Sequence, residues 1–281
     1  MVDDGNLPSP PLQHEFENAG VAYKYLKKEK PGLTESRNAG IAASSGEIIF
    51  FFDDDVDILP DYLAKILDIY EGDMDQSIAG VGGNVVNTKP MTFWRTVRWM
   101  IGVVFLNTGF CEGKILPSGF CTNFGCTPFG LKKTREVDFL CGCACSFRRQ
   151  IFSEMLFTDG YHSVAIGEDK DFMGRLSRTR RLIFTPDSRL KHFEAPVMRP
   201  RKRDLGRQLL LGRYYLLRDV MSPSWLHWLC FYYASAGYLL MRMVIALIRF
   251  DRKEYEHALG VIDALGLVIR GKVLDPDGCV H

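Results

Sequence analysis

The chain has 281 residues, 47% of them hydrophobic and 25% charged, which suits one large folded domain or two small ones and excludes a disordered chain. Its formal net charge of +1 gives no general attraction for nucleic acid, and none is expected as a partner. Eight cysteines without the spacing of a secreted disulfide scaffold argue for a reducing compartment.

The first residues do not read as a signal peptide. Val2 reads as the end of a strand whose earlier part is missing, and a Pro-rich loop follows from Leu7 to Pro11. A short helix is expected over 12–19 and a short strand over 22–26. Leu33 to Ala43 reads as a helix that opens near Thr34 or Ser36 and ends at Ser44-Ser45-Gly46. The run from Glu47 to Phe52 reads as a strand buried on both faces.

That strand leads directly into Asp53, Asp54 and Asp55. Three adjacent carboxylates repel one another and resist desolvation unless a cation sits among them. A hard divalent cation bound to phosphate meets that need, and the carboxyl end of a strand in an open α/β sheet is where such ligands bind. An acidic turn with no ligand fits the same residues. Asp57 is expected to face solvent.

Next come a helix over 60–70, with Leu63, Ile66, Leu67 and Tyr70 on one face, and a strand over 78–86. This alternation predicts an α/β domain with a mainly parallel sheet flanked by helices. Phe93 to Leu106 is aromatic and apolar, with Arg95 and Arg98 inside it, and a Gly-, Cys- and Phe-rich stretch runs on to Leu131. Val137 to Phe147 reads as a strand on which Cys141, Cys143 and Cys145 share a face as small buried thiols. A helix over 148–155 follows. Gly167-Glu168-Asp169 precedes another over 170–177, and two extended segments cover 181–185 and 188–192.

Two basic clusters, Arg178 to Arg181 and Arg199 to Arg207, fit either a solvated face or an anionic partner such as a diphosphate or a membrane surface. Trp225 to Ile248 is nearly all apolar, interrupted mainly by His227 and Arg242, and just long enough to span a bilayer. An in-plane helix, a hairpin with the amphipathic segment 255–269, and a buried soluble helix fit as well. The division expected is a domain over 1–222 and a membrane-associated helical tail over 223–281.

Taken in order, VDDGN, GLTESRNAGIAASSGEIIFFFDDDVDILPDYL, DFLCGCACSFRRQIF, GEDKDFMGRLSR and PDSRLKHF resemble a family 2 glycosyltransferase of the GT-A fold, from Met1 to about His192. The resemblance implies an inverting enzyme that uses a nucleotide-diphosphate sugar and a divalent metal, Mg2+ or Mn2+. It implies Asp55, Asp53 and His192 at the metal, with Asp53 reaching metal or ribose. Asp3, Asp4, Arg37, Asn38 and Asp54 would bind the donor, and Arg213 the diphosphate. Asp169 would be the general base, Glu168 and Gly142 would meet the acceptor, and Asp171 would be a solvated helix residue. The acceptor would be a glycan or a lipid-linked molecule, with the catalytic part cytoplasmic and the tail at the membrane. Relatives begin with a full strand and a loop that grips the base, so the first strand is expected to be absent from the sheet. A catalytically impaired nucleotide-sugar-binding fragment and a nucleotidyltransferase remain as alternatives.

Overall fold

The computed structural model describes residues 1–5, 7–158, 166–193 and 200–273. Two short strand pairs stand apart from the main sheet: β1 (Val2–Asp3) with β2 (Leu26–Lys27), and β6 (Lys114–Ile115) with β7 (Cys121–Thr122). The main sheet contains β3 (Ile48–Phe52), β4 (Val56–Ile58), β5 (Ile78–Val85), β8 (Arg135–Val137), β9 (Ala144–Arg148) and β10 (Arg181–His192). The spatial order is β3-β9-β5-β10-β4, and β8 also pairs with β10. The helices are α1 (Gln13–Asn18), α2 (Leu33–Ala43), α3 (Tyr62–Glu71), α4 (Phe93–Val104), α5 (Glu168–Leu176), α6 (Lys202–Tyr215), α7 (Trp225–Arg249) and α8 (Arg252–Ile269).

The βαβα order does give β3, β5 and β10 one direction. The sheet is nevertheless mixed rather than mainly parallel, because β9 enters between β3 and β5 and runs against both. β4 and β8 likewise run against β10. Period-two alternation buries both faces. Ile49, Phe51, Cys145, Phe147, Leu182 and Phe184 face one core, where Phe157 stacks on Phe172 with ring centroids 4.2 Å apart. Ile48, Phe50, Ala144, Ile183 and Leu190 face the other, against Tyr62, Ile66 and Tyr70 of α3.

Val137 to Phe147 is not one strand. β8 ends at Val137, the chain turns through Cys141–Cys143, and β9 starts at Ala144. Only Cys145 of the three cysteines therefore lies on a strand, and the Cys141 and Cys143 sulfurs sit 3.3 Å apart across the turn. Conversely, the two segments around Pro186 are one strand, β10, with a register shift between Phe184 and Arg189. A bulge is where a proline, with no N–H to give to a ladder, is tolerated.

The last three helices form a second core from Leu210, Leu211, Tyr215, Phe231, Ala234, Val261 and Ala264, which also holds Phe120. α8 lies directly against α6: a methyl on Gly260 would strike the Arg203 carbonyl, and one on Gly206 would strike that of His257. α8 is thus docked on α6, and α7 shares their core. α7 is apolar and long enough to cross a membrane, with a mean hydropathy of 1.5 in its best window, 28% of which is buried.

Candidate active site

β3 ends at Phe52 and delivers Asp53 to Asp55 to the edge of the sheet. The Asp53 amide donates to the Cys143 carbonyl at 3.0 Å, which ties the acidic segment to the Cys141–Cys143 turn. The β4–β10 ladder sets His192 opposite Val56. The Phe193 amide then donates to the Asp55 carbonyl at 2.9 Å. His192 Nε2 comes to 3.1 Å from Asp55 Oδ1. Asn87 fixes the backbone of His192 from both sides, accepting from its amide and donating to its carbonyl, each at 2.9 Å. One donor atom each from Asp53, Asp55 and His192 lies within 4.8 Å of the others.

Burial pushes the Asp53 carboxyl up, Asp55 and Asp54 add to that, and Arg37 and His192 oppose it. A cation among these groups would relieve the repulsion. Two carboxylate oxygens and an imidazole nitrogen form a donor set that takes Mn2+ or Mg2+. The residues therefore fit the metal that the motif implies. Asp54 is exposed and is not one of the three clustered donors. Asp57 is exposed as expected, 3.4 Å from Lys191.

Asp169 stands in the first turn of α5, against Gly142 of the Cys141–Cys143 turn. A Cβ built on Gly142 would lie 2.9 Å from Asp169 Oδ2, so the missing side chain at Gly142 is what makes room for the carboxylate. The Lys170 amide donates to Asp169 Oδ1 at 2.8 Å. Burial raises the Asp169 pKa, but Lys170, Arg37, that amide and Arg213 together outweigh it and leave the carboxyl below its ordinary value. Arg37 acts on both Asp53 and Asp169, which puts the acidic segment and the start of α5 in one electrostatic neighbourhood.

Arg37 itself is buried. It donates to the Gly142 carbonyl at 3.3 Å, pairs with Glu168 at 3.7 Å and lies over the Phe157 ring at 5.2 Å. It fastens α2 to the turn and to α5. Asn38 does similar work, exchanging two hydrogen bonds with the Phe157 backbone at 2.9 and 3.1 Å. Glu168 sits with Arg37 on one side and accepts from the Gly167 amide at 3.2 Å.

Asp3 accepts from the Gly5 and Leu7 amides and from the Tyr25 hydroxyl at 2.6 Å, a bond that lowers its pKa. Asp4 accepts from the Gly32 amide and the Ser36 hydroxyl at the start of α2, both at 3.1 Å. Arg213 projects from α6 to the Cys121 sulfur at 3.8 Å and acts on Asp169 through its charge. Asp171 is not a solvated helix residue. It is buried, accepts from Arg175 at 2.7 Å and from Thr158 at 3.1 Å, and helps hold α5 in place. Sequence reasoning missed Asn87 and Thr158, because a polar residue after a strand or in a loop carries only an ordinary turn signal. Arg199 of the second basic cluster lies outside the described residues.

The family model "Glycosyl transferase family 2" matches residues 1–156. A glucosyl-dolichyl phosphate glucuronosyltransferase of Haloferax volcanii is 29% identical over 160 residues, 55% of this chain and 44% of that protein. The chain thus spans under half the length of that curated relative. Among solved structures, the mannosyltransferase PcManGT of Pyrobaculum calidifontis, in complex with GDP-Man and Mn2+, covers 94% of this chain with 76% of its own. Its TM-score is 0.52 at 13% identity, a likeness of fold alone. That fold is the GT-A type, a mixed sheet flanked by helices with an acidic motif at a strand end. With a matching family model over more than half its length, the chain belongs to glycosyl transferase family 2.

Proposed function

We propose that this glycosyltransferase moves a sugar from a nucleotide-diphosphate donor to an acceptor hydroxyl on a glycan or lipid-linked molecule, by single displacement with inversion. The observation that carries the reading is that two carboxylate groups meet the Cys141–Cys143 turn: Asp53, clustered with Asp55 and His192 and bonded through its amide to the Cys143 carbonyl, and Asp169, packed against Gly142.

Asp53, Asp55 and His192 would hold Mg2+ or Mn2+, which when bound offsets charge on the leaving diphosphate. Asp3 and Asp4 would meet the nucleotide base and Asp54 the donor, while Arg37 and Asn38 hold the floor of the donor pocket rigid. Asp169 would take the proton of the acceptor hydroxyl. Its lowered pKa keeps it ionised at neutral pH, as a base requires. Glu168, steadied by Arg37, would orient the acceptor. Gly142 would admit the acceptor close to backbone while leaving space for Asp169. Arg213 would add positive charge on the diphosphate side of Asp169. The tail would hold the enzyme at a membrane with the catalytic part in the cytoplasm, where nucleotide-sugars are made.

The test is a screen of nucleotide-sugars with Mn2+, reading nucleotide release and then the anomeric configuration of any transferred sugar by NMR. Inverted product with metal-dependent release supports the reading. Donor binding with no turnover on any donor would favour a nucleotide-sugar-binding protein instead.

A further inference from the structure

Cys141 and Cys143 stand at the first and third places of a turn, which the Ala144 amide closes by donating to the Cys141 carbonyl at 3.3 Å. On a strand, residues two apart are separated by about 6.6 Å along the chain. The turn instead gathers the two side chains, and their sulfurs lie 3.3 Å apart. A disulfide bond is about 2.0 Å long, so the sulfurs have little distance left to close. Among the described residues no other two cysteine sulfurs are in hydrogen-bond contact. Cys141 is half-buried and open to a small oxidant, whereas Cys143 is buried behind it. An accessible thiol with a second thiol in contact is the arrangement of a cysteine pair that oxidises reversibly.

The same turn holds the site together. The Cys143 carbonyl accepts from the Asp53 amide at 3.0 Å, and the Gly142 carbonyl accepts from Arg37 at 3.3 Å. Asp169 Oδ2 lies 2.9 Å from where a Cβ on Gly142 would stand. A cross-link between the side chains on either side of Gly142 must turn the peptide unit that carries the Gly142 carbonyl. Arg37 and Asp169 are both set against that unit, so neither keeps its place.

The geometry points to Cys141 and Cys143 as a reversible oxidation site, at which hydrogen peroxide makes a disulfide that distorts the turn and switches the enzyme off. The Cys141 thiolate attacks one peroxide oxygen. The S–O bond forms as the O–O bond breaks, and the departing hydroxide takes a proton to become water. The sulfur has then given two electrons to the peroxide. The Cys143 sulfur attacks the Cys141 sulfur next. The S–S bond forms, the S–O bond breaks, and a second water leaves with the Cys143 proton. A bridge between residues this close in sequence is strained, and strained disulfides are readily reduced, so exchange with a small thiol restores both groups. The loss of activity rests on the transferase reading above; the disulfide does not.

The test treats the reduced full chain with hydrogen peroxide, blocks free thiols with N-ethylmaleimide, and maps the peptides by mass spectrometry without reduction. Cys141 and Cys143 should escape the label and their peptide should be two hydrogens lighter, until dithiothreitol reverses both changes. Cys145→Ser should keep this mark, and Cys141→Ser and Cys143→Ser should each lose it. Mn2+-dependent nucleotide release by the parent should fall at least ~10-fold on oxidation and return with dithiothreitol, the scale of a displaced catalytic group. Each serine variant at 141 or 143 should hold most of its own untreated rate. A fully labelled pair, or a bridge from either cysteine to another one, would overturn the site. A complete Cys141–Cys143 bridge with release unchanged would overturn the switch. A reduced parent that forms the bridge but releases no nucleotide from any donor would fail the transferase reading and leave the oxidation site standing.

Discussion

Asp169 occupies the space that a side chain at position 142 would need, with its Oδ2 2.9 Å from where a Gly142 Cβ would stand. Neither the Asp169 carboxylate, held by the Lys170 amide, nor the turn, held by Arg37 and Asp53, is free to retreat. Gly142→Ala should therefore move the carboxylate by some tenths of an ångström or more without unfolding the sheet. The expected result is loss of at least ~100-fold in kcat/KM, the scale of a misplaced catalytic group. Asp169→Asn should lose ~100- to 10,000-fold with donor affinity kept. Steady-state kinetics beside a thermal melt decides, and full activity in Gly142→Ala would remove Asp169 from the reaction.

Arg37 is one of the charges that hold Asp169 below its ordinary pKa. Arg37→Met should leave desolvation less opposed, so the acid limb of the kcat/KM profile should move to higher pH. Arg37→Lys should hold the limb near its original place. The sign for stability follows from the same shift. A carboxyl lowered in the folded state adds stability above its unfolded pKa of about 3.9, and that stability is lost as pH falls through the lower folded value. Arg37→Met should accordingly lose stability at neutral pH, and in denaturant melts the gap to the parent should narrow as pH falls below about 4. An acid limb that stays put in Arg37→Met would show that another group controls it.

The acidic segment could be read directly, since an apolar run ending in Asp53-Asp54-Asp55 has a physical meaning of its own. The boundaries of α2 were legible too, because the helix has clear start and stop residues. The partners were not. Arg37 meets a carbonyl 105 residues away, and Asn38 locks a backbone 119 residues away. No local pattern carries such pairings. The Cys141-Gly142-Cys143 stretch alternates as a strand would, and only contacts with Asp53 and Asp169 make it a turn. Asp171 reads as a surface residue because its partners Arg175 and Thr158 give no burial signal. The direction of β9 depends on which strands it joins, and strand order is a tertiary property.

Metal binding gives a graded expectation. Asp55→Asn and His192→Ala each remove a donor atom from the three-residue set. Asn87→Ala removes the clamp on the His192 backbone and leaves the donors in place. Loss of such a supporting contact typically costs ~10- to 100-fold in metal affinity, and loss of a ligand should cost more. Mn2+ titration followed by EPR, with and without nucleotide, reads this directly. Wild-type Mn2+ affinity in Asp55→Asn would rule out this metal site.

Membrane attachment through α7 calls for a surface test rather than a truncation. Ending the chain near Pro223 would strip α8 and α7 from Leu210, Leu211 and Tyr215 and expose a core, so insolubility would have two causes. The outward side chains are separable from that core: Leu247, Ile248 and Phe250 are 68%, 74% and 95% exposed. Burying such residues in lipid is worth about 1.5–3 kcal/mol each. Replacing all three with serine should move the protein from the membrane pellet to the soluble fraction while leaving its melting temperature near that of the parent. Exposed Trp225, Tyr232 and Tyr233 at the start of the same helix suit the headgroup region, and the triple variant keeps them. A triple variant that pellets as before, or a parent chain that is soluble and monomeric without detergent, would mean that α7 packs against protein and not lipid.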